Sequence, residues 1–221
     1  MASAASAAVT PTLSCSNGGD CVVGDAGPGG GKVFYAPGGT FTETSAACGS
    51  SCRYLEAAPV DWNSGGSPDP YLQWGGGYGY GNVCSRRTIS GATGTGIGSG
   101  FANTAAIMAA CPAASGTNSA PAARAASTYS PTVNGAAVNG WFLPSRDELY
   151  ALDAFCFGLL YSNSSCWDGV GGTSLWAPYW SSSQSNLMNA WSRNVGRDGG
   201  DQWQGTALES ENGDVRPVRA S

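Results

Sequence analysis

Eight cysteines are the residues in this chain best suited to covalent chemistry, and they occur without a single histidine. They fall as sequence neighbours, Cys15 with Cys21, Cys48 with Cys52, Cys84 with Cys111 and Cys156 with Cys166. Mixed cysteine and histidine metal sites are excluded, and the pairs do not form two Cys-x-x-Cys knuckles. Four local disulfides are therefore the expectation, with a four-thiolate zinc site as the alternative. Disulfides imply an oxidising compartment. Without histidine, neither a Ser-His nor a Cys-His nucleophile pair can be assembled. The carboxylate neighbours Asp147/Glu148 and Glu209/Glu211 read as a helix cap and a solvated turn rather than an acid and base pair. The glycine-rich run from Gly24 to Tyr35 has Val33 after Lys32 and leads into a strand, so it reads as a turn and not as a phosphate loop. These residues point away from an enzyme, and no cofactor or metal is expected.

The elements that would position such residues are organised around Gly140 to Leu152. Ser145 followed by Glu148 forms a capping box, and Leu149, Leu152, Cys156 and Leu159 recur at helical spacing, predicting a helix with one apolar stripe. A second helix is expected over Ser99–Cys111, with Phe101, Thr104, Ile107, Met108 and Cys111 on one face and Pro112 closing it. Strands are expected at Val33–Tyr35, Arg53–Pro59, Leu175–Ser181, Ala190–Val195 and Val215–Ala220. The stretches 63–81 and 113–140, rich in Gly, Pro, Ser and Asn, read as a long loop and a surface excursion. Residues 1–20 read as a flexible lead-in, and residues 21–221 as one domain. Trp141, Leu143, Leu149, Leu152, Trp180 and Trp191 are the expected core between helix and sheet.

Charged residues make up only 11% of the chain and glycine contributes 34 residues, which points to a loop-rich α+β fold rather than a helical bundle. A net charge of −5 with ten basic residues and no basic run argues against a nucleic-acid partner. No stretch approaches the roughly 20 apolar residues of a membrane helix, so membrane insertion is not expected.

Four ordered motifs carry a family resemblance: Gly140-Trp-Phe-Leu-Pro-Ser-Arg-Asp-Glu-Leu, Tyr179-Trp-Ser-Ser-Ser, Ala190-Trp and Val215-Arg-Pro-Val-Arg-Ala. With Gly27-Pro-Gly-Gly-Gly-Lys-Val-Phe-Tyr, Arg53-Tyr-Leu-Glu-Ala-Ala-Pro and Ala102-Asn-Thr-Ala-Ala-Ile, the chain resembles the C-type-lectin-like domains of bacterial and phage surface proteins over residues 24–221. That family includes the C-terminal domains of collagen-like adhesins and the variable proteins of diversity-generating retroelements. The resemblance implies an α+β C-type-lectin-like fold, in which two helices pack on a small twisted antiparallel sheet with long irregular loops. It also implies that the N- and C-terminal strands lie close together and that the ligand surface falls at 181–214. The Glu-Pro-Asn and Trp-Asn-Asp motifs of calcium-dependent sugar binding are both missing from the sequence.

On this reading the chain is a non-enzymatic display domain on a cell surface or phage virion, capturing a protein or glycan ligand. Its C-terminal segment would be diversified by a retroelement. A structural subunit of a fimbria or phage tail tip is the alternative, and a formylglycine-generating type of enzyme the lesser one. The ligand-binding residues are expected to be Gln184, Asn186, Met188, Asn189, Ser192, Asn194, Arg197, Asp198, Asp201, Gln202 and Gln204, with Trp203 as an aromatic anchor. Strand alternation sets their direction: if Trp191, Arg193 and Val195 face the core, then Ser192 and Asn194 face out. An inward Arg193 needs a carboxylate or carbonyl partner, for which Asp214 and Glu209 are the candidates, or else its head must reach water past the rim of the core.

Overall fold

The capping box marks the start of the longest helix. Ser145 N–H donates to Glu148 Oε2 at 2.7 Å, Glu148 N–H donates to Ser145 Oγ at 3.4 Å, and the helix runs over Arg146–Leu160. Leu149, Leu152 and Cys156, at helical spacing, are buried on one face of it. The computed structural model describes residues 13–63, 69–76, 84, 86–113, 119–160, 178–194 and 204–221, without the side chains of 157–160 and 204.

Three helices are present among the described residues, α1 (Gly100–Ala110), α2 (Pro121–Thr128) and α3 (Arg146–Leu160). The first and third match the sequence expectation, and α2 corrects it. The stretch 113–140, read as a surface excursion, carries α2 followed by a hairpin of β4 (Thr132–Val133) and β5 (Ala136–Ala137). Pro121 reads as a breaker, yet at the first helical position its missing N–H costs nothing. The buried face of α2 consists of Ala122, Ala123 and Ala126, too small to register as an apolar stripe.

The remaining strands are β1 (Lys32–Tyr35), β2 (Leu55–Ala57), β3 (Tyr71–Gln73), β6 (Trp141–Phe142), β7 (Tyr179–Gln184), β8 (Asn189–Arg193), β9 (Gln204–Leu208), β10 (Asn212–Asp214) and β11 (Val218–Ala220). They form two principal sheets where one was expected. The first is antiparallel with order β1-β2-β11-β6, so the N-terminal strand and the C-terminal strand both pair with β2. The second has order β3-β10-β7-β8-β9 and is antiparallel except where β10 runs parallel to β7. The expected core is likewise divided. Leu149 and Leu152 pack with Phe34, Leu55, Phe142 and Val218, whereas Leu143 and Trp180 pack with Trp74, Ile107 and the alanines of α2.

Buried polar side chains join the two sheets. Arg216 lies between β10 and β11, and its Nε and Nη2 donate to Asp69 Oδ2 at 3.0 and 2.6 Å while its Nη1 donates to the carbonyls of Ala58 and Pro59. Asp69 also accepts from Tyr179 of β7 and from the Trp62 indole, both at 2.8 Å. The glycine-rich turn has a similar role. Gly29 and Gly31 donate their N–H groups to the buried Glu56 carboxylate, and a Cβ at Gly27 or Gly29 would stand 2.2 or 2.5 Å from its oxygens. Amides that could cradle an anion are therefore occupied by the chain's own carboxylate.

Disulfides Cys15–Cys21, Cys48–Cys52 and Cys84–Cys111 are formed as expected, and the fourth pair, Cys156 with Cys166, has its second cysteine outside the described residues. Cys15 is buried beside Val33 and Tyr54, and Cys15–Asn17 forms a 3₁₀ turn, so the structure begins earlier than the lead-in of 1–20 would allow. Among the described residues no helix is long and apolar enough to cross a membrane. Leu149 and Leu152 are each 1% exposed in the cluster under α3. Leu149→Ala or Leu152→Ala is expected to cost on the order of 2 to 5 kcal/mol in urea denaturation.

Candidate recognition face

The sequence Tyr-Trp-Ser-Ser-Ser-Gln makes β7 an unusually polar strand, yet all six residues are buried. Buried hydroxyls and amides need partners, and here they find backbone groups. Ser181 Oγ donates to the Trp191 carbonyl at 2.8 Å, and Ser183 Oγ donates to the Gly94 carbonyl at 2.6 Å while accepting from Arg146 N–H. Gln184 is 3% exposed. Its side-chain oxygen accepts from Ile89 N–H at 2.7 Å, and its Nε2 donates to the Arg87 carbonyl and to Glu209 Oε1, each at 2.8 Å. Gln184 is thus a bracket between the sheet and the segment 87–89, not an outward ligand group as the sequence suggested.

The direction of β8 is also reversed. Ala190 and Ser192 are buried on the side of Trp180, whereas Trp191 is half-buried on the opposite side. Ser192 therefore does not project towards a partner. The cause is that both sides of β8 are covered, so a Trp and Ser alternation does not say which side is deeper. Small Ala190 and Ser192 fit against the sheet core, while Trp191 and Arg193 lie across α3. Arg146, Tyr150 and Asp153 share one helical face there. The Arg146 guanidinium sits 5.2 Å over the Trp191 ring, the Arg193 guanidinium sits 4.5 Å over the Tyr150 ring, and Arg193 Nε donates to Asp153 Oδ2 at 2.6 Å. The carboxylate expected from Asp214 or Glu209 comes instead from α3.

Of the other expected residues, Asn186 and Met188 are exposed on the β7–β8 connection, and Asn189 and Asn194 are half-buried. Arg197, Asp198, Asp201, Gln202 and Trp203 lie outside the described residues, and Gln204 opens β9 opposite Arg193. Strand pairing sets Thr206 against Trp191 and Leu208 against Asn189, both partners half-buried. The exposed tip is well defined. Asn186 Oδ1 accepts from Met188 N–H at 2.9 Å and Asn189 N–H at 3.1 Å, and Glu209 N–H donates to the Met188 carbonyl at 2.9 Å. Leu187 and Met188 are left 55% and 43% exposed at that tip. Sequence reasoning passed over Leu187, Tyr150, Thr206 and Leu208. The one available signal was Tyr150, which directly follows Leu149 and so leaves the apolar stripe.

Chemically this surface offers aromatic faces, amides and two apolar side chains, an arrangement suited to adaptable contact. Glu209, read as part of a solvated turn, is fully buried, and burial pushes its carboxyl up to about 8, opposed by the Gln184 hydrogen bond. No protein-family model matches the chain, and no curated protein is significantly similar to it.

Two predictions follow from the geometry of the face. Removing one partner of the Arg193–Asp153 pair, by Arg193→Met or Asp153→Ala, takes an opposite charge away from a buried one and should cost on the order of 3 to 5 kcal/mol in urea denaturation. For Glu209 the folded state keeps a proton up to about pH 8 that the unfolded chain releases near pH 4.5. The stabilisation is fully present below the unfolded value and is lost as pH rises through the folded one. Glu209→Gln should remove a downward slope on the order of 1 kcal/mol per pH unit between those two values.

Proposed function

We propose that this chain is a non-enzymatic recognition domain of C-type-lectin-like architecture, displayed outside the cell or on a virion, that captures a protein or glycan ligand. The observation that carries this reading is the contrast between β7 and its connection to β8. Every side chain of β7 is buried, while Asn186, Leu187 and Met188 stand exposed beyond it. A rigid strand thus carries a rigid, open tip, flanked by Asn189, Trp191 and Thr206. Exposed positions of this kind accept substitution at little cost, which suits a surface varied between copies. The disulfides agree with an oxidising location.

Retroelement diversification is part of the proposal, with a narrower set of positions than the sequence suggested. Gln184, Ser192 and Asn186, whose side chain holds the tip, belong to the fixed framework, and the varied positions are Met188, Asn189, Asn194 and the segment 197–204. Sequencing the gene's surroundings tests this. The expected result is a near-copy of its 3′ end, differing at adenines of those codons, beside a reverse transcriptase. Binding is tested by presenting the immobilised domain to a glycan array and an extracellular-protein array. Leu187→Ser with Met188→Ser should abolish or redirect each hit while the melting temperature stays within a few degrees. Hits unchanged in that variant, or none on either array, would discard the recognition reading.

A further inference from the structure

The N-terminus of α1 has no capping side chain of its own, since Ser99 makes no cap bond, yet two remote carboxyl groups meet there. Glu148 of α3 accepts from Gly98 N–H at 2.7 Å and from Gly100 N–H at 3.5 Å through Oε1, while its Oε2 holds Ser145 N–H at 2.7 Å. Glu43 reaches in from the segment closed by the Phe41–Cys52 bridge, and its Oε1 accepts from Phe101 N–H at 3.0 Å. Both residues are fully buried, and their carboxyl groups converge on one turn, at the amides of Gly98, Gly100 and Phe101. Two carboxyl groups that meet out of water can hydrogen-bond to each other only when one of them keeps a proton. Both oxygens of Glu148 already receive N–H donors, whereas no N–H or O–H donates to Glu43 Oε2.

We infer that Glu43 and Glu148 hold one shared proton, resident on Glu43 Oε2 and donated to the Glu148 carboxylate, and that this proton is a clasp locking α1, α3 and the 41–52 segment together. Loss of the proton leaves two like charges in a buried site. Among the described residues no cation compensates there: α1 carries no charged residue, and the α3 first-turn pair Arg146 and Asp147 bind each other at 2.7 Å. Glu148 and the Phe101 N–H are the groups that act on Glu43 besides its burial, the first raising it and the second lowering it. Burial and the adjacent Glu148 push Glu43 up to about 9, and burial also raises Glu148, against the pull of its N–H donors. The clasp is therefore closed at neutral pH and opens in alkali. The geometry leaves no room for adjustment, because a Cβ at Gly100 would stand 2.2 Å from Glu148 Oε2. The same first turns of α3 carry Arg146 and Tyr150 against β8, so the clasp and the β8 face share one rigid element.

Hydrogen exchange on the whole chain, paired with carbon NMR of the glutamate carboxyls, tests the clasp without any ligand. In the wild type, protection of the Gly98 and Phe101 amides should fall by about tenfold or more between roughly pH 7 and 10, while amides of β7 and β8 keep theirs. Glu43→Gln is the isostere of the protonated acid, its oxygen accepting from Phe101 and its amide donating to Glu148. It should fold and make that protection independent of pH. Glu148→Gln sets an NH₂ against backbone N–H donors and should weaken protection at every pH. An unchanged pH profile in Glu43→Gln, a failure of that variant to fold, or a Glu43 carboxyl that titrates at about pH 4 to 5 would each overturn the proposal.

Discussion

The Glu148 carboxylate is the contact on which most of this architecture depends. It serves the starts of both α1 and α3, because its two oxygens answer the N–H groups of Ser145, Gly98 and Gly100. A helix start has orphan donors that cost free energy when buried away from water. Here the orphans of α1 and α3 are answered by the same side chain. The apolar stripe of α3 can then face Phe34, Leu55 and Val218, and its opposite face can meet β8.

A more general constraint lies behind that contact. Charged residues are few in this sequence, with ten basic side chains against fifteen acidic ones, and several buried carboxyl groups have no cation beside them among the described residues. Backbone N–H groups of glycine-rich turns take over that role. Glu56 is wrapped by Gly29 and Gly31 with help from Arg219, and Glu148 by Gly98 and Gly100. Gly98 has φ +92°, a conformation that L side chains rarely adopt, and glycine meets it without a Cβ penalty. Glycine abundance in this chain thus reflects close approach of backbone to carboxylate as much as loop flexibility. The arginines that are buried go where several acceptors converge, as Arg216 does on Asp69, Ala58 and Pro59.

Much of this was legible where local chemistry dictates structure. The Ser145 and Glu148 box located α3, the Phe101 to Cys111 pattern located α1, and cysteine proximity gave three disulfides. What escaped were features set by tertiary context. The alanine face of α2 is too small to signal burial, and β9 and β10 are too short and polar to stand out. Gln184 and Ser192 look like surface residues because polar side chains usually are. Their burial depends on acceptors and donors from 87–89 and on cover from Trp180 and Ala190, which lie far off in sequence or across the strand.

The reversal of β8 bears on how such a surface can vary at all. A strand with one free face can exchange every second residue independently, but β8 is bounded by core on one side and by α3 on the other. Trp191 and Arg193 are coupled through their cation–π contacts to Arg146 and Tyr150, and Arg193 is further tied to Asp153. Substitutions among residues that share partners do not add independently, so Ala190 to Arg193 behave as framework despite lying in the segment expected to bind. Freedom to vary is left to side chains that stand clear of such contacts, which at the tip means Leu187 and Met188. The backbone of that tip is held by the Asn186 side chain and by Glu209 N–H, and a residue exchanged at Leu187 or Met188 leaves both restraints in place. Rigidity and tolerance coexist here because the contacts that order the tip come from its backbone and from Asn186, and not from the side chains it exposes.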